Sequence, residues 1–207
     1  MIAVIDYGMG NLRSVQKALE VVGAKTKVTS DPKDLRSSEK IVLPGVGSFG
    51  AAMRELKRLK LVEPLRDAIE AGKPFLGLCL GLQLLFEKSE ESPGIKGLCV
   101  LKGESKRFKF ARASLKVPHM GWNNIDRRPE TEDHGQKILK GVPNGAYMYF
   151  VHSYYVIPKD KSVILTTTDY GIDFVSGIVK DNIYGFQFHP EKSQEAGLKI
   201  LRNFVRL

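Results

Sequence analysis

The sequence predicts an α/β fold: a mainly parallel central sheet flanked by helices, with an antiparallel or mixed β segment added in the second half. Three observations carry this expectation. Up to Phe86, short apolar runs alternate with apolar residues at helical spacing. From about Leu98 to Phe188, β-favouring runs separated by turn residues dominate. At 207 residues, with no repeat, low-complexity tract or linker, the chain is expected to form a single domain over 1–207.

Met1 to Ile5 reads as a buried strand. Asn11 is a good helix cap, Leu12, Val15, Leu19 and Val22 follow at helical spacing, and Gly23 ends that helix. Lys25 to Thr29 is a second strand, and Ile41 to Leu43 a third, closed by Pro44-Gly45. Helical spacing returns at Met53 and Leu56, then at Val62, Leu65 and Ile69, with Gly72 as the stop. Phe75 to Leu78 is a fourth strand. Further strands are expected at Val117 to Ile125, Ala146 to Val156, Val163 to Thr168, Phe174 to Val179 and Ile183 to Phe188. Leu198, Leu201 and Val205 give a closing helix capped by Ser193.

Composition excludes several classes. Apolar residues make up 43% of the chain, close to ordinary globular proteins, so disorder and disulfide scaffolds are not expected. No basic segment precedes the apolar start, which argues against a secretory signal. The longest uncharged apolar run, Phe75 to Phe86, is short of the ~18 residues a membrane span needs. Two cysteines without repeating spacing fit a reducing compartment, so a cytoplasmic protein without membrane contact is expected. The net charge is +9, with basic clusters at Lys102, Lys106, Arg107, Lys109, Arg112 and Lys116 and along the tail from Lys192. Without zinc-finger spacing or interleaved aromatics, these read as solvated faces rather than nucleic-acid contacts.

The strongest local signal is Gly77-Leu78-Cys79-Leu80-Gly81-Leu82-Gln83, between an expected strand and an expected helix. With cysteine in place of serine, this is a nucleophile elbow. A sharp strand-to-helix turn strains the nucleophile's backbone, and flanking glycines let neighbouring backbone pass. The thiol then projects above the carboxyl edge of the sheet, where open α/β sheets bind ligands. The Leu80 N–H points where an oxyanion would form. Taken alone, the segment also fits a buried structural cysteine between packing glycines.

Two other segments complete a constellation. In Phe186-Gln187-Phe188-His189-Pro190-Glu191, Pro190 biases His189 to an extended backbone, and residues two apart then face one side. Glu191 beside His189 would fix the imidazole tautomer, giving base and orienter to Cys79 as nucleophile. In Leu43-Pro44-Gly45-Val46-Gly47-Ser48, glycines over the sheet edge allow backbone N–H groups to supply a second oxyanion donor. Ser48 capping a following helix is the plainer reading of that loop. Gly8-Met9-Gly10 has Arg13 where a dinucleotide fingerprint needs its third glycine. The four histidines lack metal-ligand spacing, so no cofactor and no metal are expected.

Together these motifs resemble the class I (triad) glutamine amidotransferases. Pro118 to Asn123, Tyr149 to Tyr155 and the opening Asp6 to Asn11 narrow the resemblance to glutaminase subunits of imidazole glycerol phosphate synthases, over nearly the whole chain. The resemblance implies hydrolysis of L-glutamine to glutamate and ammonia by Cys79, His189 and Glu191. A separate (β/α)₈-barrel cyclase, forming a heterodimer with this chain, would use the ammonia to make imidazole glycerol phosphate and an aminoimidazole carboxamide ribonucleotide. Leu80, Gly45, Val46 and Gly47 would serve the oxyanion. Gln83, His152 and Ser153 would help hold glutamine. Asn11, Trp122, Tyr149 and Lys192 would lie at or near the cyclase interface, although Trp122 and Tyr149 also fit aromatic core packing. Glutaminase activity would stay weak until the cyclase binds its own substrate. Subunits serving anthranilate or pyridoxal phosphate synthesis would share the elbow and the His-Pro-Glu but not the two narrowing segments.

Overall fold

The computed structural model describes residues 1–110, 115–128 and 133–207, with side chains for all of these except 133 and 134. Arg112 and the His134 side chain therefore lie outside the described residues. The first half alternates as expected: β1 (Ile2–Ile5), α1 (Leu12–Val21), β2 (Thr26–Thr29), α2 (Pro32–Ser37), β3 (Lys40–Gly45), α3 (Phe49–Arg58), α4 (Val62–Glu70), β4 (Phe75–Cys79) and α5 (Leu80–Leu84). Periodicity does not predict α2, which is too short to show it. Its signal is local: Pro32 opens the helix and the Asp31 side chain accepts from the Lys33 N–H.

Strands β2, β1, β3 and β4 are parallel neighbours in that order. Their side chains divide between two cores. Ala3, Ile5, Ile41, Leu43 and Phe75 pack with Met53, Leu56 and Leu65 of α3 and α4. Ile2, Val4, Val42, Leu76 and Leu78 pack on the other face with Val15 and Leu19 of α1. Burial on both faces explains why β1, β4 and residues Ile41 to Leu43 of β3 read as unbroken apolar runs without alternation, whereas the edge strand β2 is only partly buried.

The second half contains β5 (Lys88–Ser89), β6 (Gly103–Arg107), β7 (His119–Asn124), β8 (Asp126–Arg127), α6 (Asp133–Ile138), β9 (Tyr147–His152), β10 (Tyr154–Pro158), β11 (Ile164–Asp169), β12 (Asp173–Lys180), β13 (Ile183–Phe186) and α7 (Gln194–Arg206). Strand β13 returns to the parallel core and pairs with β4, Phe186 opposite Leu78. That register brings the chain after β13 alongside the end of β4. Beyond β13 the main sheet continues through β12, β10, β6 and β5, with β11 and β8 branching from β12.

Ala146 to Val156, expected as one strand, is two. The chain changes partners at Ser153: β9 pairs with β7 in a separate antiparallel ribbon, while β10 joins the main sheet against β6. No glycine or proline marks the break and a lone Ser153 is a weak turn signal, so the available edges decide it.

Asn11 and Ser193 occupy N-cap positions, but neither side chain caps its helix. The Ser193 hydroxyl instead donates to the His189 carbonyl at 2.6 Å and accepts from the Tyr149 N–H at 3.0 Å. Acidic side chains interrupt the described part of the basic segment. Glu104 pairs with Lys88 and Lys106, Glu90 with Lys109, and Glu87 with Lys159. Such exposed pairs are worth about 0–1 kcal/mol each and leave a solvated, mixed-charge face. Among the described residues, no helix is long and apolar enough to cross a membrane.

Two glycines separate steric fit from backbone freedom. A Cβ on Gly81 would collide with the Leu43 carbonyl of β3, whereas one on Gly72 meets nothing within 4 Å although its φ is +81°. Gly81→Ala is expected to cost about 3 kcal/mol or more and Gly72→Ala about 1 kcal/mol, measured as shifts in urea unfolding.

Candidate active site

Cys79 ends β4 with φ +53° and ψ −107°, a conformation disfavoured for a residue with a side chain. The surrounding glycines hold it there. A Cβ on Gly77 would lie 2.7 Å from the Gly81 carbonyl oxygen, and one on Gly45 would lie 2.5 Å from the Tyr7 hydroxyl. Tyr7 is fully buried and donates to the Pro44 carbonyl at 2.9 Å, fixing the base of the loop after β3. Ser48 does not cap α3 with its side chain. Glu91 and Ser92 do so from another loop, accepting from the Phe49 N–H at 2.6 Å and the Gly50 N–H at 3.0 Å.

Over the elbow lies a cleft of about 330 Å³ lined by Val46, Gly47, Cys79, Leu80, Gln83, Glu91, Pro118, Val151, His152, Ser153 and Tyr154. Six of the residues named from sequence for the oxyanion and glutamine roles therefore surround the sulfur. Gly45 is the exception, buried beneath the cleft at the end of β3. A larger cleft of about 720 Å³, near Gly72, Asp181 and Arg206, sits at the opposite end of β4 and holds no nucleophile.

His189 and Glu191 meet, though by a route different from strand alternation. His189 is extended, but Glu191 lies in a 3₁₀ turn over Pro190–Lys192. The buried His189 Nδ1 donates to Glu191 Oε1 at 2.8 Å. The His189 N–H is held by the Tyr149 carbonyl at 2.9 Å. Nε2 is buried and closes no hydrogen bond. Burial opposes the imidazolium, but nearby Cys79 and Glu191 outweigh it and raise His189 to about 10. The sulfur itself donates to the Val151 carbonyl at 3.8 Å and accepts from Gln187 Nε2 at 3.6 Å.

His152 lies in an opposite environment. Its Nδ1 donates to the Tyr154 carbonyl at 2.8 Å, so its Nε2 accepts, from His119 Nδ1 at 3.1 Å. His119 Nε2 then faces the Asn123 amide at 3.4 Å, and its ring stacks on Tyr170. Every bond in this chain suits neutral imidazole. Burial pushes His152 down to about 3 and His119 down to about 4.

Away from the cleft, Trp122 and Tyr149 pair edge to face at 6.0 Å, and Lys192 Nζ lies 5.7 Å from the Tyr149 ring centre. Trp122 is 47% exposed, which overturns core packing for that residue. Asn11 is exposed at the start of α1. Sequence reasoning missed Glu91, Tyr7 and Gln187. Gln187 lies inside a noted motif, but nothing local shows that its side chain reaches the sulfur.

The neutral pair has a stability consequence. Unfolded imidazoles take up protons near pH 6.5, whereas folded His152 does so only near pH 3. Between those values the unfolded state binds more protons, so stability falls as pH falls. His189 is raised, so its contribution is complete below pH 6.5 and is lost only as pH rises towards about 10. Urea unfolding at pH 5 is expected to show about 2 kcal/mol less stability than at pH 7 from His152 alone. His119→Gln should flatten the remainder of the profile.

Residues 3–207 match the family model described as glutamine amidotransferase class-I. A subunit named imidazole glycerol phosphate synthase subunit HisH from Aquifex aeolicus is 55% identical, with 98% of this chain and 95% of that protein covered. The protein of the same name from Pyrococcus furiosus is 49% identical over all of this chain and 98% of its own length. Among solved structures, a glutamine amidotransferase has a similar fold with a TM-score of 0.76 at 17% identity, each chain fully covered. PurLQS from Thermotoga maritima is also similar, with a TM-score of 0.68 at 19% identity over 99% of this chain and 97% of that one. The chain belongs to the class I glutamine amidotransferase family, among the HisH subunits of imidazole glycerol phosphate synthase.

Proposed function

We propose that this chain hydrolyses glutamine at Cys79 and delivers the ammonia to a (β/α)₈-barrel cyclase in histidine biosynthesis, in the cytoplasm. The observation that carries the reading is one cleft holding a strained cysteine beside a buried His189–Glu191 pair. Cys79 thiolate attacks the side-chain amide carbon of glutamine. The Leu80 N–H and an N–H from the Val46–Gly47 loop stabilise the oxyanion. His189 protonates the leaving nitrogen, which departs as ammonia and leaves a γ-glutamyl thioester. His189 then takes a proton from water, whose oxygen attacks the thioester to give glutamate and restore the thiol. Glu191 keeps the proton on Nδ1, so Nε2 does the transfer.

The cleft also fits the substrate's charged end. The Glu91 carboxylate lies on its wall and suits the α-ammonium of glutamine. Gln83 commits its amide nitrogen to the Tyr154 carbonyl and Gln187 Oε1, which leaves Gln83 Oε1 to accept from the ligand.

The partner surface and the site share one strand. Strand β9 supplies the Val151 carbonyl to the sulfur and the Tyr149 carbonyl to the His189 backbone. On the outer side of the same ribbon, Met120, Trp122 and Tyr147 are exposed and apolar. In the arrangement described, no hydrogen bond joins His189 Nε2 to Cys79. These features support a glutaminase that is slow alone and completed by docking of a liganded cyclase on β7 and β9.

Cys79→Ala is expected to abolish glutamate release while leaving cyclase binding intact; unchanged release would overturn the nucleophile assignment. Glutamate release by the wild-type chain should rise about 100-fold or more when the cyclase and its nucleotide substrate are added, the scale of one oxyanion donor. Equal rates with and without the liganded partner would remove the gating. Trp122→Ala should weaken the complex, read by calorimetry.

A further inference from the structure

We propose that Gln187 is a positioning residue for Cys79: Gln83 and the Tyr154 carbonyl orient its side-chain amide so that its N–H aims at the sulfur and favours the ionised, attacking form. The inference rests on the reading of Cys79 as the nucleophile.

The orientation follows from donors and acceptors alone. The Tyr154 carbonyl can only accept, so the end of Gln83 that lies 3.1 Å from it is the NH₂ group. The second N–H of that group points to Gln187, 3.1 Å away, so Gln187 must present its oxygen there. Its own NH₂ is then turned to Cys79 Sγ at 3.6 Å. Tyr154 is anchored in turn, because its carbonyl also accepts from His152 Nδ1 at 2.8 Å. Gln187 is fully buried, and its backbone N–H is bonded to the Ser176 carbonyl at 2.9 Å, so its side chain is the adjustable part.

The sulfur sits between opposite partners. As a thiol it donates to the Val151 carbonyl at 3.8 Å. As a thiolate it would face that carbonyl's negative end, while the Gln187 N–H becomes a charge-assisted donor. His189 Nε2 closes no bond to the sulfur in this arrangement, so Gln187 is the donor already in place. Other ionisable groups around the sulfur come from separate elements: His189 and Glu191 after β13, Tyr7 after β1, His152 on β9, and Glu91 on the cleft wall. None is altered by changing Gln187.

The test reads the thiol directly. In a Cys99→Ser background Cys79 is the single cysteine. Iodoacetamide alkylation of Gln187→Met, which keeps length without a donor, should slow about tenfold at neutral pH, with the pH–rate profile displaced upward. In the same variant, kcat for glutamine hydrolysis should fall with KM changed less than threefold. A folded variant with an unchanged alkylation profile would overturn the proposal. A shifted alkylation profile with unaltered glutamine turnover would leave Gln187's action on the sulfur standing and instead remove Cys79 as the glutaminase nucleophile. Should Gln187→Met not fold, the wild-type chain gives the answer by NMR. The Gln187 side-chain N–H resonances should move with Cys79 ionisation and stay fixed in Cys79→Ala. Resonances that ignore the titration in both proteins would equally refute it.

Discussion

Helix α5 crosses β3 so closely that Gly81 has no room for a Cβ beside the Leu43 carbonyl. This contact sets the rest of the site. With α5 pressed onto the sheet, the chain leaving β4 must turn within one residue, and Cys79 takes the positive φ. Such a conformation costs on the order of 1–3 kcal/mol. Burial of Leu80, Leu82 and Leu84 offsets it, since each large apolar side chain contributes about 1.5–3 kcal/mol. The strain is therefore held by the core that creates it.

The polar groups around the cleft are sorted by protonation. His189 has a buried carboxylate on one nitrogen and a sulfur near the other, and burial makes those charges count more. His152 has a carbonyl and another imidazole, neither of which compensates a proton taken out of water. The two buried histidines are thus driven in opposite directions, His189 towards the imidazolium and His152 towards neutral imidazole. One suits proton transfer. The other is a rigid neutral spacer that anchors Tyr154 and, through it, the two glutamine side chains behind the sulfur.

Strand β9 couples this interior to the surface. Its buried residues pack into the second core, its carbonyls hold both Cys79 and His189, and its outward Tyr149 packs against Trp122. The outward Trp122–Tyr149 pair therefore lies within one or two peptide units of the carbonyls that hold Cys79 and His189.

Local chemistry in the sequence determined the alternating first half, the parallel core and the elbow. Each depends on neighbours in the chain: apolar runs for buried strands, helical spacing for faces, and Gly77 and Gly81 flanking Cys79. The pairing of His189 with Glu191 was also legible, though a 3₁₀ turn achieves it. Tertiary structure alone decided the rest. Ser153 divides one β-favouring run because two different sheet edges lie within reach. Ser193 leaves its helix uncapped because the His189 carbonyl and Tyr149 N–H need its hydroxyl. Glu91 caps α3 from a distant loop, and Gln187 reaches a cysteine 108 residues away in sequence. Periodicity records which face of an element is apolar, but it carries no record of which buried polar atom remains without a partner once the elements pack.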